Sequence, residues 1–489
     1  MGVNDDGAGP GAPIRLSLVS HTNAGKTTLA RTLLGRDIGE VRDAPHVTEF
    51  AEMNVLLKTP SGDALQLWDT PGFGDTVRLV RRLRLHDTPL GWLLMQVWDR
   101  WRDRAFWASQ QAMRHVRDES DVVLYLVNAA ESPASAGYLA SEMALLAWAG
   151  KPVVVLLNQM GAPRAAADEA AEVERWRAHL ATFGHVREVL PLDAFARCWV
   201  QEGALLHAVE RALGGDARMQ RLRAEWAHQR LATFEASMRE LAASLGRIAA
   251  ARAPLPEGRG GIVELLRSGR KREAEAAERT LAEALDREVR TSTARLLALH
   301  GLEGRAEGAI LERVAAQVRL REPLGEGRAS LVGGVVSGAL SGLAADLMSG
   351  GITLGAGMIA GGVLGALGGA GVARALNVVR GTGAGFASWS DAALEPLVHA
   401  ALLRYLAVAH FGRGRGQWVQ GEAPAHWVRV VDEALAAERD ALAATWSGRS
   451  DALDNANEAD WLAPALEPVL ARAGRQALES LYPGAWPHG

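Results

Sequence analysis

The chain has 489 residues, enough for two or three domains, and its hydrophobic content of 48% supplies an ample core. A net charge of −4 excludes bulk electrostatic attraction to nucleic acid, and a single cysteine, Cys198, excludes an intramolecular disulfide and suits a reducing compartment. The opening stretch 1–13 is polar and rich in Gly and Pro, without an apolar run of signal-peptide type, and reads as a disordered cytosolic tail.

The first ordered element is the apolar run Ile14 to Val19, which predicts a strand. It runs into Ser20-His21-Thr22-Asn23-Ala24-Gly25-Lys26-Thr27-Thr28 and then into the helix former Leu29 to Leu34. Strand, tight loop and helix start make a phosphate trap, because the loop amides and the helix N-terminus converge on one anionic site. In such a loop Lys26 reaches the β- and γ-phosphates and the Thr27 hydroxyl holds Mg²⁺. The usual pattern, G-x-x-x-x-G-K-[ST], has a glycine where Ser20 stands.

A polar loop follows with Thr48, whose hydroxyl is a second candidate for Mg²⁺. Strands are predicted at 52–59 and 64–69, joined by the turn Thr59-Pro60-Ser61-Gly62-Asp63. The second ends in Asp69-Thr70-Pro71-Gly72, where Asp69 can bind Mg²⁺ directly or through water and the Gly72 amide can meet a γ-phosphate. Residues 76–118 form an insertion rich in Arg and Trp, read mainly as two amphipathic helices with tryptophans in the core and arginines in water, the alternative being an effector surface or membrane-interface face whose position depends on nucleotide. Further strands are predicted at 121–128, 151–158 and 186–192. The alternation with helices implies an α/β unit over 14–213: a mainly parallel sheet, with ligand sites at the carboxyl ends of the strands.

The phosphate loop, Thr48 and Asp69-Thr70-Pro71-Gly72 together resemble the first signatures of the Era/TrmE-like P-loop GTPases, a translation-factor-related branch. The whole layout is similar to a bacterial group of GTPases with a C-terminal helical domain of unknown function. The resemblance implies GTP and Mg²⁺ as ligands, and places Thr48 and Gly72 in two switch loops that sense the γ-phosphate. It puts base recognition at Asn158-Gln159-Met160-Gly161, where the family has Asn-Lys-x-Asp, and at the loop holding Asp193 and Ala194. Asn158 matches; Gln159 replaces the lysine, and Gly161 the aspartate that accepts two hydrogen bonds from guanine. Losing a bidentate base contact costs on the order of 1–3 kcal/mol of discrimination, so ATP is not excluded. Phe73 stands where some GTPases place a water-orienting glutamine, which implies slow turnover; Asn23 stands where some relatives hold K⁺, which implies potassium-stimulated hydrolysis.

From 214 to 489 the chain reads as an all-α region. Leu231, Phe234, Met238, Leu241 and Leu245 recur at helical spacing, and Glu273 to His300 is a second long helix. Further helices are expected around 392–409, 428–445 and 462–481. The segment 329–373 carries one charged residue, Asp346, and glycines at four-residue intervals: Gly334, Gly338 and Gly342, then Gly357, Gly361, Gly365 and Gly369. Such stripes allow close helix contact, and the halves, each about 20 residues, are long enough to span a bilayer. Arg328 and Arg374 flank the pair of halves, and the central turn at Ser349-Gly350-Gly351 has no positive charge, which fits a hairpin with both ends in the cytoplasm, at the inner membrane. The alternative is a soluble buried hairpin. Two classes of function follow: a nucleotide switch acting at a membrane, or a soluble switch or scaffold assembling with a protein or ribonucleoprotein. The charge balance and lack of an RNA-binding module argue against nucleic acid.

Overall fold

The computed structural model describes residues 11, 13–21, 24–34, 52–70, 76–84, 99–160, 166–192, 198–255, 271–302, 376–379, 385–410, 425–450 and 457–487. These fall into two compact units: residues up to Arg230 make the bulk of the first, and those within Leu231–His410 and Gln420–Trp486 the second.

The first unit is built on a six-stranded sheet. In chain order its strands are β1 (Ile14–Ser20), β2 (Glu52–Lys58), β3 (Ala64–Asp69), β4 (Val122–Asn128), β5 (Val153–Asn158) and β6 (Val186–Pro191). The spatial order is β2-β3-β1-β4-β5-β6; β2 is antiparallel to β3, and the other neighbours are parallel. The sequence pattern explains the order. β4 and β5 are unbroken apolar runs buried on both faces, as central parallel strands must be. β3 alternates half-buried and buried residues, as expected with one face less covered. Gly62, at φ +93°, turns β2 into β3, its amide donating to the Thr59 carbonyl. The strands fall within a residue or two of the positions the pattern predicts.

Helices α1 (Lys26–Leu34), α2 (Thr76–Arg84), α3 (Arg104–Glu119), α4 (Leu139–Ala149), α5 (Ala166–Leu180) and α6 (Trp199–Ala212) alternate with the strands. Met113, Val116, Met143, Leu146, Trp176 and Leu180 pack with the β4 and β5 side chains into one core. The insertion departs from the expected pattern. Trp101 is 87% exposed rather than buried. Arg78 and Arg82 do not simply face water: both pair with the fully buried Asp99, and Arg78 also lies over the Phe106 ring. Burying a carboxylate requires such cations, so Arg82 is drawn inward, while Arg78 reaches Asp99 with 43% of its side chain still exposed.

α7 (Ala217–Ala250) is a single long helix whose residues from Leu231 onward belong to the second unit. There Phe234, Met238, Leu241 and Leu245 are buried, as their spacing requires. The second unit continues with α8 (Lys271–Leu299), α9 (Asp391–Ala409), α10 (Ala425–Ala437), α11 (Arg439–Ser447) and α12 (Glu458–Leu481). One helix expected over 428–445 is two, broken at Glu438. A small antiparallel sheet joins β7 (Arg252–Pro254), β9 (Phe386–Trp389) and β8 (Leu376–Val379), an addition to the helical architecture that the pattern did not predict. Among the described residues, only α9 is long and apolar enough to cross a membrane, and most of it is buried within the protein. The glycine-striped segment 329–373 lies outside the described residues.

Candidate functional site

Three strands end at one place. Ser20 closes β1, Asp69 closes β3 and Asn158 closes β5. β1 lies beside β3 with Leu18 opposite Asp69, and β4 lies beside β5 with Asn128 opposite Asn158. Parallel pairing puts the three carboxyl ends on the same edge of the sheet, where ligands bind in open α/β folds.

The loop after β1 turns at Gly25, which has φ +89°. A β-carbon there would lie 2.8 Å from Nδ2 of Asn158, so both conformation and space require glycine. That same Nδ2 donates to the Ala24 carbonyl at 2.9 Å, and Asn158 is fully buried. Asn158, expected to read a base, is therefore also the clasp that fixes the loop against β5. Gln159 follows with φ +57°, the one non-glycine positive φ among the described residues.

α1 starts at Lys26, so the first-turn amides have no carbonyl within the helix to bond. Lys26 Nζ donates to Ser20 Oγ at 3.0 Å, arching back over the loop. Burial pushes the Lys26 ammonium pKa down, while Asp69 and Glu142 pull it upward. Thr27 Oγ1 donates to Asp69 Oδ2 at 3.0 Å. Asp69 is buried, and next to it the Thr70 hydroxyl ties β3 to the Leu18 carbonyl at 2.8 Å. One small volume thus holds an ammonium, a hydroxyl, a carboxylate and a helix N-terminus. This arrangement accepts an anion and offers hard oxygen donors beside it.

Of the residues singled out in the sequence, Ser20, Ala24, Gly25, Lys26, Thr27, Asp69, Asn158 and Gln159 are gathered at this edge, and Thr28 continues the first turn of α1. Asn23, Thr48, Gly72, Asp193 and Ala194 lie outside the described residues. A further group escaped the sequence reading. Glu142 on α4 is fully buried against the loop, bonded to His21 and to Tyr125. Its one legible signal was a lone carboxylate in the apolar run Leu139–Ala149.

Residues 177–460, more than half of the chain, match the family described as a domain of unknown function, DUF3482. The chain belongs to this family. Residues 15–159 match the family described as 50S ribosome-binding GTPase, and the first unit is a P-loop GTPase domain. No curated protein is significantly similar to the chain. Among solved structures, an Aquifex aeolicus Era variant bound to GDP·AlF4− is 19% identical, with a TM-score of 0.27, over 37% of this chain and 51% of that one. A GTP-binding protein from Sulfolobus solfataricus in complex with GDP is 17% identical, TM-score 0.24, over 43% of this chain and 52% of that one. The G domain of the T. maritima FeoB iron transporter is 17% identical, TM-score 0.24, over 41% of this chain and 99% of that one. The chain thus spans about half the length of the Era chain it matches. Similarity at this level carries neither ligand nor partner across.

Proposed function

We propose that the chain is a GTP-binding, slowly GTP-hydrolysing switch whose nucleotide state is coupled to its helical C-terminal region. The observation that carries this is the meeting of Lys26, Thr27 and Asp69 at the loop held by Asn158. In this reading the loop amides from Asn23 to Thr28 cradle the phosphates, and Lys26 neutralises the β- and γ-oxygens. The oxygen donors of Thr27 and Asp69, 3.0 Å apart beside the anion site, fit Mg²⁺, with Thr48 as a further hydroxyl. When bound, Mg²⁺ would offset phosphate charge. The Gly72 amide reports the γ-phosphate. Phe73 can neither donate nor accept a hydrogen bond, so the attacking water is poorly oriented and turnover is slow. Turnover that is identical in K⁺ and Na⁺ would remove Asn23 as a potassium ligand.

Guanine preference is tested by competition of GTP and ATP for labelled nucleotide on the purified full chain, with Lys26→Ala as control. GTP is expected to displace the label at lower concentration. Equal displacement would assign base tolerance to Gly161, and displacement unaffected by Lys26→Ala would overturn the site. The readout of the switch is placed at the inner membrane through the hairpin 329–373, and release of the chain by carbonate washing of membranes would refute that placement. A second reading, a soluble switch that assembles with a ribonucleoprotein or protein, is favoured by the match of 15–159 to a ribosome-binding GTPase family.

A further inference from the structure

The α4 segment is apolar apart from Ser141 and Glu142, and Glu142 is fully buried. A carboxylate there needs partners on both oxygens. Oε1 is 2.6 Å from His21 Nδ1, and Oε2 accepts a 2.5 Å hydrogen bond from the Tyr125 hydroxyl on β4. The imidazole is also stacked on Tyr138, ring centroids 4.3 Å apart and planes 16° from parallel. His21 directly follows Ser20, the residue that receives Lys26, so a ring gripped at its edge and its face fixes the backbone of the phosphate loop itself. The same turn of α4 carries Ser141, whose hydroxyl is 2.9 Å from that of Thr76 at the start of α2. α2 opens seven residues after Asp69.

We propose that Glu142 and His21 are positioning residues for the phosphate loop: the buried carboxylate holds the imidazole, the imidazole holds the loop, and its positive charge joins that of Lys26 in favouring a triphosphate. The inference rests on the nucleotide reading above. The hydrogen bond that His21 donates to Glu142 raises the His21 pKa above its ordinary 6.5, and the charges of Glu142 and Glu131 act in the same direction; burial and Lys26 oppose them. Burial first, then neighbouring carboxylates, pushes Tyr138 up to about 12 and raises Tyr125 well above its ordinary value, so both stay neutral. Facing His21 are therefore Glu142 and Tyr138 from the α4 region, Tyr125 from β4 behind Glu142, Glu131 from the loop after β4, and Lys26 from α1. The charged ring is present at low pH and lost as pH rises through its raised value, and triphosphate affinity falls with it.

The test compares the full-length wild type with His21→Gln, His21→Arg, Glu142→Gln and Lys26→Ala, measuring GTP affinity, kcat, KM and melting temperature from pH 6 to 9. His21→Gln and Glu142→Gln are expected to weaken GTP binding on the order of ten-fold at pH 6.5, mostly in KM. The gap between wild type and His21→Gln should close as pH rises, and dividing one by the other removes the titration of GTP itself. His21→Arg, charged at every pH and able to bond Glu142, should restore affinity and flatten the profile. A His21→Gln affinity equal to wild type at every pH would overturn the proposal. So would a pH-independent loss that follows melting temperature and that His21→Arg does not rescue. A wild type that binds no better than Lys26→Ala would instead overturn the nucleotide reading.

Discussion

Strand β3 has a buried aspartate at each end, and the two serve opposite purposes. Asp63, just before the strand, is saturated: Arg221 bonds both its oxygens at 2.6 and 3.0 Å, and Thr59 and Ser61 add theirs. Those contacts, led by Arg221, hold its pKa down to about 2. Asp69, at the other end, is bonded to the Thr27 hydroxyl and lies near Lys26, both on the helix that opens at the phosphate loop. One carboxylate closes a turn onto α7 through Arg221, Thr59 and Ser61. The other faces groups that a charged ligand would engage. Burial marks both, so burial alone does not identify a site; what separates them is whether the partners belong to the scaffold or to an anion-binding loop.

The comparison can be broken from either end. The largest effect is expected at the loop: Lys26→Ala should weaken triphosphate binding by roughly 100-fold, about 3 kcal/mol, in a calorimetric titration. Asp69→Asn should lower affinity by about ten-fold in the presence of Mg²⁺ with little change in melting temperature. Removing Mg²⁺ with a chelator should bring the wild type down to the variant, and a variant still sensitive to the chelator would show that the metal is held elsewhere. Asp63→Asn should do the reverse, lowering the melting temperature while GTP affinity stays within about two-fold. The smallest effect is in acid. Because the folded Asp63 pKa lies near 2, its stabilisation is complete above the ordinary carboxylate value and disappears as pH falls through 2. The melting-temperature gap between wild type and Asp63→Asn should close over that range; a constant gap would mean the loss comes from packing.

Much of this edge was legible because its chemistry is local in sequence. Gly25, Lys26 and Thr27 are consecutive, and Asp69 ends an alternating strand. The hidden parts depend on distant partners. Glu142 and His21 are 121 positions apart, and no spacing rule reaches from a lone acid in an apolar helix to an imidazole in a loop. The Arg221–Asp63 pair spans 158 positions. The small sheet of the second unit was missed for the same reason, since Arg252 pairs with Ser388. The break at Glu438 was hidden by helix-forming residues on both sides of it, which keep the periodic pattern intact.

Cys198, which precedes α6, is buried and is the sole cysteine of the chain. A thiol shut away from solvent reacts slowly with maleimides. The native protein therefore serves as its own cysteine-free background: one cysteine introduced at exposed Val77 on α2 would take a single fluorophore and report, in real time, whether that helix moves when nucleotide is added or spent.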